Sequence, residues 1–387
     1  MKKYILPFLF LLNSFFAAAQ DFSNLTFGTD NSLEVITWNI ERFPKNGSTT
    51  IDYVADIIEA LDADIIALQE ISSVSSFNTL VNNLNGFSGY VDQDGRGLGY
   101  IYKTSSLQIN DIYEIFTTSQ FWRYFPRSPM VMDLNFNGQQ FYIINNHYKC
   151  CGDGTLNLSN TNDEETRRYY ANLLLKEYIE NNLADKNVIL LGDLNDNLTD
   201  NLLNNVFQDF LNDSSNYLFA DMIIAEGDSS NWSFPSWPSH LDHILITNEL
   251  FDEFSNQSSE IETIRIDDYL SGGWDMYDSN ISDHRPVALK LHFDNTLSTS
   301  GIKTQPLYFK NSPNPFNIET TFTFKSDVIP NKIELYNLNG RKIESLSIPA
   351  GESSVTFSSK KFSSGVYFAK LLSNKQELAI QKIVILK

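Results

Sequence analysis

The sequence predicts an α+β protein: two mostly antiparallel sheets packed face to face with helices outside, followed by a small all-β sandwich. Three observations point to this class. Before residue 293, strand-like segments outnumber helical ones, and hairpin signals such as Asn137-Gly138 join neighbours. A few amphipathic stretches are spaced between them, as outer helices require. After residue 293 the pattern breaks into a Ser/Thr-rich stretch and then a run of short strands.

The start of the chain is not expected to belong to the fold. Lys2 and Lys3 precede an apolar run from Ile5 to Phe16 and then Ala17-Ala18-Ala19, the order of a secretory signal peptide cut after Ala19. No later run is long enough to span a membrane, so the mature chain is expected to be soluble or surface-attached. Residues 21–32 read as a polar lead-in. Leu33 to Trp38 alternates as a strand. Asp52 to Leu61 puts Val54, Ile57, Ile58 and Leu61 on one helical face. Asp64 to Leu68 is a second buried strand, Ser75 to Leu84 a helix, and 86–99 a glycine-rich loop with one short strand.

Strands follow over Tyr100–Lys103, Leu107–Phe116, Pro129–Phe136 and Gln140–His147. Asp163 to Leu183 is a long helix with acidic residues in its first turn, where they suit the helix dipole. Val188 to Leu191 is a buried strand, and Gly192 lets the backbone turn before Asp193 and Asn195. Residues 197–240 carry no clear period. Leu241–Thr247 and Pro286–Phe293 complete the strands of the first domain. The expected division is therefore 1–19 signal peptide, 20–293 main domain, 294–310 linker and 311–387 a β-sandwich. The tail has strands over Thr320–Phe324, Lys332–Leu338, Lys342–Ile348, Ser354–Phe357, Gly365–Leu372 and Leu378–Leu386, with Asn339-Gly340 as a hairpin turn.

Charge is uneven. Residues 20–310 carry 16 Lys and Arg against 42 Asp and Glu, a net of −26, while residues 311–387 carry 10 against 6, a net of +4. The acidic body argues against non-specific nucleic-acid binding through a basic groove. It leaves room for a nuclease that contacts few phosphates and uses a cation. The two cysteines, Cys150 and Cys151, are adjacent. They read either as a strained vicinal bridge or as two free thiols, and neither alternative makes a metal site.

Five strand ends carry polar residues: Asn39 and Glu41, Glu70, Asn146 and His147, Asp193 and Asn195, Asp283 and His284. Asp242 lies just inside another strand. Each has a bland reading alone, such as a turn cap for Asn39, a core histidine for His147, an Asx turn for Asp193 and an N-cap for Asp283. Together they describe a metal-assisted hydrolase, with hard oxygen ligands for magnesium, manganese or calcium and histidines and amides for a phosphate. His243 must face away from Asp242 and reads as structural. His240 shares the Asp242 face, within reach of substrate.

Trp38-Asn39-Ile40-Glu41, Leu68-Gln69-Glu70, Asn146-His147-Tyr148-Lys149, Gly192-Asp193-Leu194-Asn195, Leu241-Asp242-His243-Ile244-Leu245 and Ser282-Asp283-His284-Arg285-Pro286-Val287 occur in order over residues 33–293. In these motifs the sequence resembles the endonuclease/exonuclease/phosphatase superfamily. The resemblance implies a four-layer αββα sandwich with its site at one end of the two sheets. It implies Glu70 as principal metal ligand, with Glu41, Asn39 and Asp283 on the metal side. The implied ion is Mg2+, with Mn2+ or Ca2+ as substitutes. Asp193 would align the attacking water and Asn195 would contact the phosphate. Asp242 would fix His284 as in a triad. His147 would bind the scissile phosphate or protonate the leaving oxygen, and Arg127, in Phe125-Pro126-Arg127-Ser128-Pro129, would contact the phosphate.

The tail, with Pro313-Asn314-Pro315-Phe316 and Gly365-Val366-Tyr367-Phe368, resembles the C-terminal sorting domain of the type IX secretion system of Bacteroidetes. That implies export and the secretion machinery as a partner, against the competing idea of a carbohydrate-binding module. The expectation is a secreted, monomeric, metal-dependent phosphodiesterase, a nuclease on extracellular DNA or RNA. The alternatives are a sphingomyelinase or phospholipase C-like enzyme, a phosphomonoesterase, or an inactive surface binding protein. The aromatic segment 231–238 suits either a membrane-facing tip or base stacking.

Overall fold

The computed structural model describes residues 22–29, 31–92, 95, 97–293, 308–325, 330–337, 340–349, 351–373 and 376–387. The expected signal peptide (1–19) and residues 294–307 of the expected linker lie outside the described residues. The chain divides into two compact units, Met1–Asp294 and Asn295–Lys387.

The first unit contains strands β1 (Ser32–Phe43), β2 (Ile65–Ile71), β3 (Phe87–Val91), β4 (Gly99–Lys103), β5 (Leu107–Glu114), β6 (Met130–Phe136), β7 (Gln139–His147), β8 (Asn187–Asp193), β9 (Tyr217–Phe219), β10 (Asp242–Thr247), β11 (Glu260–Thr263) and β12 (Val287–His292). They form two six-stranded sheets, ordered β11-β12-β1-β2-β4-β3 and β5-β6-β7-β8-β10-β9. Each sheet is antiparallel except for one central parallel pair, β1 with β2 and β7 with β8. Parallel neighbours need a crossover, and helices supply it: α1 (Ser48–Leu61) after β1, and α3 (Glu164–Asn182) after β7, with α2 (Val74–Asn83) following β2.

Strand alternation sorts the side chains into layers. Val35, Ile65, Met132, Ile143, Ile189, Leu191 and Ile244 fill the space between the sheets. Ile36, Ile66 and Leu68 turn outward to meet Val54, Ile57, Ile58 and Leu61 of α1. Val188 and Leu190 turn outward to meet Ala171, Leu175 and Ile179 of α3. The expected αββα sandwich is thus the observed one.

The departures are short elements. Residues 197–240 hold β9 and two four-residue helices, Gln208–Leu211 and Met222–Ala225. β11 and the helix Gly273–Asn280 were not anticipated. β11 has four residues at a sheet edge, and the helix buries only Tyr277, so neither is long enough to show a period.

Both parallel pairs end at the same end of the sandwich, and this is what positions the site. Asn39 and Glu41 close β1, Glu70 lies near the end of β2, His147 ends β7 and Asp193 ends β8. In register, Asn39 faces Gln69, His147 faces Asp193, and Asp242 at the start of β10 faces Asp193. Gly192 makes the pairing of β7 with β8, and so of His147 with Asp193, possible. It has φ 143°, and a Cβ there would lie 1.9 Å from the Asn146 carbonyl oxygen.

The second unit is all-β. Tyr308–Ser312, Glu319–Lys325 and Ser354–Ser358 form one sheet, and Lys342–Ser347, Lys332–Asn337, Gly365–Ser373 and Gln376–Ile385 the other. Phe322, Ile333, Leu335, Leu371 and Ile383 share its core. Asn339 lies outside the described residues.

Candidate active site

The strand ends converge on a cleft of about 510 Å³ lined by Glu70, His147, Asp193, Asn195, Asp283 and His284, among others. Asp193 is its centre. Asn39 donates from Nδ2 to Asp193 Oδ2 at 3.0 Å, and the Asn195 amide nitrogen donates to Asp193 Oδ1 at 3.1 Å. His147 Nε2 lies 3.5 Å from Asp193 Oδ2, and His284 Nε2 lies 3.9 Å from it. Burial pushes the Asp193 carboxyl up to about 7, reinforced by Asp242 and Glu70 and opposed by His284 and the Asn39 amide. A carboxylate so poised near neutrality suits a general base.

The two histidines are tuned in opposite directions. His284 Nδ1 and Asp242 Oδ2 are 2.7 Å apart. Burial alone would make His284 a weaker base, but Asp242 and Asp193 outweigh it and raise the imidazole to about 10. It is therefore protonated at neutral pH. His147 is driven well below its ordinary value by burial, by Arg127 and by His284, and it is neutral. Its Nδ1 is buried with no hydrogen-bond partner. One cleft thus holds a cationic and a neutral imidazole side by side.

Of the metal-side residues, Glu70 and Asn39 are in contact. Glu70 Oε1 is 3.4 Å from Asn39 Nδ2 and 3.9 Å from His147 Nε2, and its Oε2 accepts from the Arg42 amide at 3.1 Å. Glu70 holds φ 64° and Asn195 φ 55°, strained values for residues with a side chain. Burial raises Asp283 to about 6, with Glu41 and Glu70 adding to the rise and His284 and Lys45 opposing it. Glu41 pairs with Lys45, which also reaches Asp278 at 3.2 Å. Glu70 and Asp283 line the cleft and their charges destabilise one another, as suits a divalent ion, whereas the Glu41 carboxylate is held by Lys45 and is not among the cleft-lining residues. Arg127 is half-buried and lines an adjoining hollow of about 300 Å³ with Glu70, Arg42 and Gly97.

Several residues fall elsewhere. Asn146 turns back to the Ile144 and Leu191 carbonyls at 2.9 and 3.3 Å. His240 does not reach the cleft; it is buried, with Nε2 3.0 Å from Asp221 Oδ2 and Nδ1 accepting from the Ser233 amide. His243 is structural, 2.6 Å from Asp221 and 2.8 Å from the Asp196 carbonyl. Both ring nitrogens of each histidine are engaged, so neither imidazole of the Asp221–His240–His243 cluster has a lone pair spare for a metal. Cys150 and Cys151 are free and exposed.

Other residues support the site in ways that only the fold displays. Ser282 Oγ donates to the Asn39 carbonyl at 2.6 Å and accepts from the His284 amide at 3.0 Å, tying two strand ends together. Tyr277 donates to the His284 carbonyl at 2.6 Å and accepts from Trp38 Nε1 at 3.0 Å. Phe234 packs on the His284 ring with centroids 4.7 Å apart. Beneath the cleft, Gln69 Nε2 donates across the sheets to Asn145 Oδ1 at 2.8 Å, and Asn145 Nδ2 donates to the Leu68 and Gly99 carbonyls at 3.0 Å each. Ser282 and Gln69 lie inside motifs that the sequence displays, but that each bridges distant strands shows only in the fold.

Residues 36–284 match the profile described as Endonuclease/Exonuclease/phosphatase family, and residues 312–386 match that of the Secretion system C-terminal sorting domain. No curated protein matches the sequence. Among solved structures, TDP2 of D. rerio complexed with single strand DNA product is similar at 14% identity and TM-score 0.51, covering 68% of this chain and 100% of that one. The human Nocturnin catalytic domain with bound sulfate anion is similar at 17% identity and TM-score 0.48, covering 68% and 94%. An endonuclease/exonuclease/phosphatase family protein from Bacteroides thetaiotaomicron is similar at 18% identity and TM-score 0.47, covering 68% and 98%.

Proposed function

The chain belongs to the endonuclease/exonuclease/phosphatase family, and from that membership we propose that it is an exported, divalent-cation-dependent phosphodiesterase that cleaves nucleic acid. The observation that carries the reading is His284, fixed by Asp242 at 2.7 Å and facing Asp193 in the cleft that also holds Glu70. Asp193, aligned by Asn39, takes the proton of the attacking water. His284, cationic and locked by Asp242, donates from Nε2 to a phosphoryl oxygen as negative charge builds there; the bond from phosphorus to the leaving oxygen breaks as the water oxygen bonds, and the leaving oxygen takes a proton from solvent. His147, neutral, offers a single N–H to the same group. Asn195 and Arg127 hold the phosphate.

Glu70, Glu41, Asn39 and Asp283 are the residues that would hold the ion, magnesium by preference, with manganese or calcium in its place. When bound, it neutralises charge on the phosphoryl group and the leaving oxygen.

The rim offers a stacking surface for a base. Trp237 is 77% exposed beside the cleft, but its neighbours Ser236 and Ser239 are polar and Phe234 is spent on His284. An exposed indole suits stacking on a base, while Leu202 and Leu203, 71% and 83% exposed next to cleft-lining Asn201, are the apolar side chains a lipid substrate would meet instead. The full chain is expected to cleave plasmid DNA or RNA with magnesium and not with EDTA. Hydrolysis of sphingomyelin or a simple phosphomonoester, with nucleic acid left intact, would move the substrate to those classes. No turnover in any arm would defeat the reading.

The tail supports export by the type IX secretion machinery. Deleting residues 311–387 is expected to strand the protein inside the producing cell. Cell fractions and medium compared by immunoblot measure this, and a normal level in the medium would refute the sorting role.

A further inference from the structure

We propose that the loop between β7 and α3 holds a second divalent cation, of the calcium type, on Asp153, Asp163 and Glu165. One carboxylate oxygen from each lies within 4.8 Å of the others. Asp163 and Glu165 sit at the N-terminus of α3, and Asp153 reaches them from ten residues earlier, so a shared ion would close the loop.

The independent sign of a missing ligand is Glu165. It is only 2% exposed, yet its Oε2 is buried with no hydrogen-bond partner. A buried carboxylate oxygen left unpaired is costly, and a cation is what such an oxygen accepts. Its other oxygen is committed: Oε1 accepts from the Gly154 amide at 2.8 Å and lies 3.3 Å from Arg168. Arg168 cannot neutralise the group alone. Its Nε is given to Asp196 at 2.8 Å, and its Nη1 to the carbonyls of Lys149 and Cys151 at 2.7 Å each. Among the described residues, no lysine or arginine pairs with Asp153 or Asp163.

Each outer carboxylate uses one oxygen on the backbone. Asp163 Oδ2 accepts from the Thr166 and Asn157 amides at 2.9 and 3.3 Å, and Asp153 Oδ1 accepts from the Thr155 amide at 2.9 Å. Three hard oxygen donors, one on an irregular loop and two at the start of α3, suit calcium, which tolerates uneven geometry, better than magnesium, which demands an octahedron. Gly152, Gly154 and Glu165 line the cleft that Glu70 and His147 also line, so this ion would order a wall of the active site.

Calcium binding to the full chain by isothermal titration calorimetry tests this. The Glu70→Gln chain removes the principal ligand of the first site and is expected still to bind one calcium, with a Kd of roughly 10⁻⁴–10⁻³ M, as in extracellular modules. Adding Asp153→Asn or Glu165→Gln is expected to weaken it at least about tenfold, because affinity follows ligand charge. Calcium should also protect residues 153–163 from limited proteolysis in the Glu70→Gln chain and not in the double variants. Asp153 is exposed, so its variant stands if Glu165→Gln fails to fold. No calcium uptake by the Glu70→Gln chain, or equal uptake with Asp153→Asn, would overturn the proposal and leave the phosphodiesterase reading untouched.

Discussion

His284→Ala is expected to lower kcat by about 10²–10⁴, the usual worth of a positioned acid-base group, with little change in KM. The contact matters most as charge develops, so its loss falls on the transition state. The geometry makes a stronger prediction about the partner. Asp242 Oδ2 is 2.7 Å from His284 Nδ1, and the Asp242 and Asp193 charges keep that ring protonated despite burial. In Asp242→Asn the charge is gone, and the amide can donate to Nδ1 and so select the wrong tautomer. A loss close to that of His284→Ala should follow. The double variant should lose little more than the worse single one, because the two residues act as a unit. Single-turnover rates of the four proteins measure the cycle. Losses that multiply would separate the two residues and remove the pairing on which the mechanism rests.

Glu70→Gln should lower activity at limiting magnesium by more than about 100-fold, beyond the 10–100-fold that losing a group supporting a ligand costs. The substitution keeps the shape and removes the charge a hard cation needs. The fold should persist. Gln can still accept from the Arg42 amide, as Glu70 Oε2 does at 3.1 Å, and repulsion on Asp283 is relieved. Melting temperature should hold or rise while the magnesium titration shifts to higher concentration. A wild-type rate at limiting magnesium would withdraw Glu70 as the principal ligand.

Much of this was legible in the sequence because strand ends are local. Alternation marks where a buried strand stops, and a polar residue at that point has few places to go but the end of the sheet. Asn39, Glu70, His147, Asp193 and His284 were found in this way, and all lie at one end of the sandwich. Short elements escaped for the converse reason. β11 and the helix Gly273–Asn280 are held by contacts across the fold and carry too few residues to show a period.

By itself, then, the amino-acid order determined the longer elements, the division between an acidic α+β body and an all-β tail, and the residue types available for chemistry. These rest on periodicity, composition and turn residues, which act over a few positions. Tertiary structure alone decided which groups are charged and which face the cleft. His147 and His284 are the same residue type at similar strand ends, yet one is neutral and the other cationic. The difference comes from Asp242, Asp193 and Arg127, brought beside them from distant parts of the chain. His240 and Asn146 turned away from the cleft because Asp221 and the Ile144 and Leu191 carbonyls were there to receive them. Coulomb energy and desolvation depend on distance in space and on burial, and sequence spacing encodes neither.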